Sequence, residues 1–175
     1  MNSENDSVLK DRIKVCDGRL PKGAPATFLN NAKMVKLITD WWKVAMKNPS
    51  SWKCKGTDNN IYTFLNDYLT AYKEVFPEAW DNKNYVLTKT MGFDIIFSIC
   101  NQLTLNAVDI SGVNRLPDKD AFVSILQKVF FTKDDSGNMV PVEVELDGEN
   151  AVPFNWESSI YGSHSSGKGI NILKK

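Results

Sequence analysis

With 175 residues, 42% of them hydrophobic and 11% aromatic, the chain is long and apolar enough for one domain with a sizeable core, which excludes a natively disordered polymer. Three cysteines, Cys16, Cys54 and Cys100, are odd in number and far apart, which argues against a disulfide framework and for reduced thiols. The formal net charge of zero conceals an asymmetry: residues 10–55 carry eleven Lys/Arg against three Asp/Glu, and residues 56–175 carry ten against sixteen.

The opening Met1-Asn-Ser-Glu-Asn-Asp-Ser7 is polar and acidic and lacks the basic and apolar regions of a secretory signal, so residues 1–9 are expected to be disordered and the protein cytoplasmic. Arg12-Ile-Lys-Val-Cys16 alternates like a short strand before the turn-rich 17–25 segment. A first helix is predicted from Thr27, a possible cap, with Phe28, Met34, Val35, Leu37, Ile38, Trp41, Trp42, Val44 and Ala45 at helical spacing and Pro49 as its stop. Asp58 or Asn59 caps a second, carrying Ile61, Phe64, Leu65, Tyr68, Leu69 and Tyr72 up to Pro77.

A third helix is predicted from about Tyr85 to Leu103. Gly92 within it costs ~1 kcal/mol relative to alanine, so its presence points to close backbone packing. The longest apolar run, Phe93 to Cys100, is broken by Asp94 and Ser98 and falls well short of the ~20 residues that span a bilayer, so no membrane partner is expected. Pro117 and Asp118 start a fourth helix with Phe122, Val123, Ile125, Leu126, Val129 and Phe130. Asp134 to Asn138 reads as a turn and Met139 to Leu146 as a short strand, which Pro141 confines to an edge. From Asn150 the tail is polar, Ser/Gly-rich and weakly structured in isolation.

Catalytic signatures are weak. The tail Gly162-Ser-His-Ser-Ser-Gly167-Lys168-Gly169 nearly spells a phosphate-binding P-loop, but Gly169 stands where the magnesium-binding hydroxyl belongs, the preceding segment is a poor buried strand, and too few residues follow for a helix. A flexible loop whose amides and Lys168 contact a phosphate is the modest alternative. His164 is the sole histidine, so neither a metal site nor a cofactor is expected, and nothing places Cys16 or Cys54 beside it as an activated nucleophile. Asp134 with Asp135, and Glu143 with Glu145, read as surface charge rather than an acid/base pair.

Binding signatures are stronger. Lys33, Lys36, Lys43 and Lys47 form either the solvated face of the first helix or a footprint for a phosphate backbone. Trp52-Lys53-Cys54-Lys55 places an aromatic between cations in a loop, whereas Trp41, Trp42, Tyr68, Tyr72, Phe76 and Trp80 fall mostly at core spacing. Thr88-Lys89-Thr90 opens the third helix, where free amides, hydroxyls and one cation can meet an anion or simply satisfy a helix end.

Four segments, Lys10-Asp-Arg-Ile, Tyr68 to Trp80, Val86-Leu-Thr-Lys-Thr-Met-Gly-Phe93 and Phe154-Asn-Trp156 with its Gly-rich sequel, resemble the C-terminal half of DGQHR-domain proteins. The likeness runs through most of the chain. It implies a bacterial DNA-modification or defence setting, including regulators associated with DNA phosphorothioation. The Asp-Gly-Gln-His-Arg signature of that family belongs to an upstream ParB-like half, of which Asp17-Gly-Arg19 is only an echo, so activity seated there does not carry over.

The sequence therefore leads to a mainly α domain over residues 10–175, with about four principal helices and short strands near both ends, resembling a half-domain of a larger fold. Its expected role is a non-catalytic DNA-linked module, with Lys33 to Lys55, Lys89 and Lys168 supplying phosphate contacts. The alternative is an assembly module that completes a partner's core, an upstream ParB-like half or a second copy. A small enzyme using His164 or Lys168 is a third, weaker option.

Overall fold

The structure, a computed structural model, describes residues 6–10, 12–14, 29–47, 58–105, 117–145 and 151–158. Thr27, Trp52, Lys53, Lys55, Cys16, Cys54, His164, Lys168 and the 162–169 loop lie outside the described residues. Four helices carry the fold: α1 (Asn31–Lys47), α2 (Asp58–Val75), α3 (Thr90–Leu105) and α4 (Lys119–Phe130). Short strands pair two by two: β1 (Ile13–Lys14) runs parallel with β2 (Leu29–Asn30). β3 (Phe131–Lys133) and β4 (Met139–Pro141) form an antiparallel hairpin, and β5 (Glu143–Val144) pairs antiparallel with β6 (Val152–Pro153). The architecture is mainly α, as the apolar periodicity predicted.

Each helix buries the stripe its spacing dictates. α1 presents Met34, Trp41 and Ala45 to the core, and the Asn30 side chain caps its start by accepting from the Ala32 amide at 2.7 Å. α4 buries Phe122, Leu126 and Phe130, one every four residues, behind the Asp118 carboxylate, which accepts from the Ala121 amide at 3.0 Å. α1 packs on α3 and α4 on α2. Trp41 of α1 stacks on Phe64 of α2 with ring centroids 5.3 Å apart, and Phe64 meets Phe122 of α4 edge-on at 5.2 Å. Aromatic rings thus run through the core from one helix pair to the other.

Four polar side chains inside this core, those of Trp41, Thr104, Tyr68 and Tyr72, are hydrogen-bonded within it. The Trp41 indole donates to Thr104 Oγ1 at 2.9 Å, and that hydroxyl donates to the Cys100 carbonyl at 2.7 Å. Tyr68 donates to the Ile96 carbonyl at 2.7 Å, which leaves the 3.2 Å contact between its oxygen and Tyr72 to be donated by Tyr72. Burial pushes the Tyr68 and Tyr72 hydroxyls and the Cys100 thiol well above their ordinary pKa values.

Three expectations are corrected. The third helix begins at Thr90, not near Tyr85, because Tyr85 bridges Glu157 and the Val86 amide donates to the Trp156 carbonyl at 2.7 Å. Its preceding turn presses on the helix at Gly92, where a Cβ would lie 2.2 Å from the carbonyl oxygens of both Val86 and Leu87. Residues 6–9 are packed rather than disordered: Leu9 is fully buried, the Val8 amide donates to Asn66 Oδ1 at 2.9 Å, and Tyr62 donates to Asp6 at 2.6 Å. Part of the polar tail is structural too. Phe154 and Trp156 are buried in the aromatic core, against Phe130 at 4.8 Å and Phe76 at 5.7 Å.

Candidate nucleic-acid interface

The basic residues that sequence reasoning grouped on α1 separate into two sets once the helix is folded. Residues four and seven apart share a face, so Lys36, Lys43 and Lys47 line one edge of α1. Lys33, three residues before Lys36 and next to it on the helix surface, instead forms an ion pair with Asp94 of α3 at 2.5 Å, both side chains largely covered. Asp94 sits in the first turns of α3 and Thr104 in its last, opposite Lys33 and Trp41 in turn, so α1 and α3 run side by side in the same direction. Lys33 is therefore a clamp between helices.

Asp40 is the one carboxylate of α1, and it is shared. Lys36 pairs with it one turn away, and Lys43 approaches its other oxygen at 3.4 Å. The hydrogen bond and charge of Asp40, with a smaller contribution from the charge of Asp94, raise the Lys36 pKa, and the hydrogen bond from Lys36 in turn lowers that of Asp40. Both groups are exposed, so these pairs add little to stability. Lys47 makes no ion pair with any described residue. The edge thus keeps a net positive charge along its length.

Beside the lysines runs an apolar strip, formed by Val35, Ile38, Trp42 and Met46. Val35 is 54% exposed and Met46 56%, while Ile38 and Trp42 are half-buried against the core. Among the described residues Trp42 is thus the aromatic on the lysine-bearing helix that keeps solvent access, whereas Trp41, Tyr68 and Tyr72 are fully buried and Trp80 nearly so. None of those four has a face for a base.

The Thr88-Lys89-Thr90 segment is arranged differently from its expected form. Thr88 is buried, Thr90 is exposed as the first residue of α3, and Lys89 stands just before it with its carbonyl accepting from the Phe93 amide at 3.0 Å. A cation there opposes the helix dipole, a small penalty. Its ammonium instead donates to Ser158 Oγ at 2.8 Å, tying the helix start to the 151–158 segment. Ser158 also donates its amide to the Asn84 carbonyl at 2.8 Å. An open cleft of about 470 Å3 lies there, lined by Lys83, Asn84, Tyr85, Glu157 and Ser158. Nothing in the sequence signalled Ser158, because its role depends on a contact across 69 positions.

Chemistry elsewhere is sparse. Among the described residues no three His, Cys, Asp or Glu side chains converge as a metal site needs. Cys100 is enclosed and its thiol stays protonated, the opposite of an activated nucleophile. The Asp134 carboxylate accepts from the amides of Ser136 at 2.9 Å and Asn138 at 2.8 Å, which closes the hairpin turn and holds its pKa down. Glu143 and Glu145 are exposed and form no ion pair with any described residue. Among the described residues no helix is long and apolar enough to cross a membrane. No protein-family model, curated protein or solved structure matches this chain.

Proposed function

We propose that the chain is a non-catalytic DNA-linked module of a bacterial DNA-modification or defence system, working in the cytoplasm and touching nucleic acid through the lysine edge of α1. The observation that carries this reading is the alignment of Lys36, Lys43 and Lys47 along one exposed edge of α1, where Asp40 is the one carboxylate of that helix. Such an edge contacts phosphates without reading sequence, and half-exposed Trp42 beside it offers a stacking surface for an unpaired base. The resemblance to the C-terminal half of DGQHR-domain proteins supports the DNA-modification setting. Lys33 and Lys89 leave the list of phosphate ligands, since each is committed to a contact inside the domain.

Fluorescence anisotropy with a labelled duplex and a labelled single strand tests this. Binding should weaken steeply with salt, and changing Lys36, Lys43 and Lys47 together to glutamine should lower the slope of log K against log salt by about 2–3. Absence of binding at low salt would sink the nucleic-acid reading. A second reading, assembly with a partner domain such as a ParB-like half, draws on the exposed Val35 and Met46.

A further inference from the structure

Four large apolar side chains are exposed among the described residues, and they fall in two places: Val35 and Met46 on α1, Val129 and Met139 at the end of α4 and on the hairpin after it. Their electrostatic surroundings are opposite. Residues 31–47 carry four lysines against one aspartate, while residues 131–145 carry four carboxylates, Asp134 and Asp135 in the turn, Glu143 on β5 and Glu145 just after it, against Lys133. Val129 itself follows Lys128, so the acidic character belongs to the 134–145 stretch rather than to α4.

We propose that these patches are the two halves of one head-to-tail interface, by which the α1 strip of one copy docks on the acidic 134–145 stretch of a second copy. Both patches are solvent-exposed, so neither is covered by the other within a single molecule. Val35 and Met46 then pack against Met139 and Val129 of the neighbour, while Lys43 and Lys47 face Asp135, Glu143 and Glu145. The two surfaces differ, so the contact is heterologous and leaves a free patch at each end of a pair: association continues into a ring or an open chain. The apolar strip supplies the contact area and the charges fix its direction. The proposal goes beyond nucleic-acid binding, and the two are separable. Changes in the strip leave all three lysines in place, and self-association is measured with no nucleic acid present.

Sedimentation velocity on the full chain over a concentration series, at low and at high salt, reads the outcome. The mass should rise beyond two copies at low salt and fall as salt is added. V35E/M46E and M139E/E143K should each weaken self-association at least about tenfold. Mixed together, these two variants should form a pair that grows no further, since each keeps one intact face. Circular dichroism checks that both are folded; K43E/K47E replaces the first pair if it is not. A wild-type chain that stays monomeric throughout, that stops at a dimer, or whose two variants fail to pair when mixed overturns the proposal.

Discussion

Gly92 shows how a single position can be governed by its neighbour's backbone rather than by its own helix. In an ordinary exposed helix interior, replacing glycine with alanine stabilises by ~1 kcal/mol. Here the added methyl meets two carbonyl oxygens at 2.2 Å, and because they belong to backbone no side chain can swing away. We expect Gly92→Ala to destabilise by about 3 kcal/mol, the upper part of the range for overpacking. Urea denaturation decides the sign, and any gain in stability would show that the Val86–Leu87 turn does not rest on α3. The sequence disclosed that Gly92 has a packing reason. It could not disclose the partner, because the turn is folded back by hydrogen bonds to residues 156 and 158.

At the scale of elements, the 151–158 segment behaves as part of the core. One end is held by pairing with β5 and by the Phe154 amide, which donates to the Val142 carbonyl just before that strand at 2.7 Å, and the other by the 84–86 stretch and Lys89. Between them Trp156 is fully enclosed among Tyr72, Phe76, Phe130 and Phe154. Trp156→Ala should therefore cost about 3–5 kcal/mol, whereas Lys89→Met, which removes one half-exposed hydrogen bond, should cost about 1 kcal/mol. A Trp156→Ala protein as stable as wild type in chemical denaturation would show the tail to be dispensable.

The four helices were legible because their apolar residues recur at helical spacing over 12 to 18 positions. The tail was not, since two aromatics among serines and glycines carry no period. The lysine edge was half legible: spacing put four lysines on one helix, but only the fold shows that Lys33 turns to Asp94. The apolar strip of Val35, Trp42 and Met46 was hidden for a related reason, because α1 is apolar over much of its circumference and its packed side depends on α3.

For the whole molecule, the buried polar network sets a limit in alkali. Tyr68, Tyr72 and Cys100 have folded-state pKa values raised above those of the unfolded chain, first by burial. Their contribution is fully present below the unfolded values, roughly 8.5 for the thiol and 10 for the phenols, and is lost as pH rises toward the folded ones. The thermal midpoint should therefore fall from about pH 9 upward, and more steeply above 10, in a melting series at constant ionic strength. A midpoint unchanged to pH 11 would mean that these groups titrate freely in the folded protein.

The central claim is that the outer face of α1 is where this domain meets its partner, with Lys36, Lys43 and Lys47 as its charged edge. Anisotropy of a labelled DNA strand at low salt, comparing wild type with the K36Q/K43Q/K47Q variant and with Lys33→Gln as a control, addresses it most directly. The triple variant should lose most of its affinity and most of the salt dependence, and the Lys33→Gln protein, once shown to be folded, should bind as wild type does. Equal binding by wild type and the triple variant, or no binding by either, would contradict the claim.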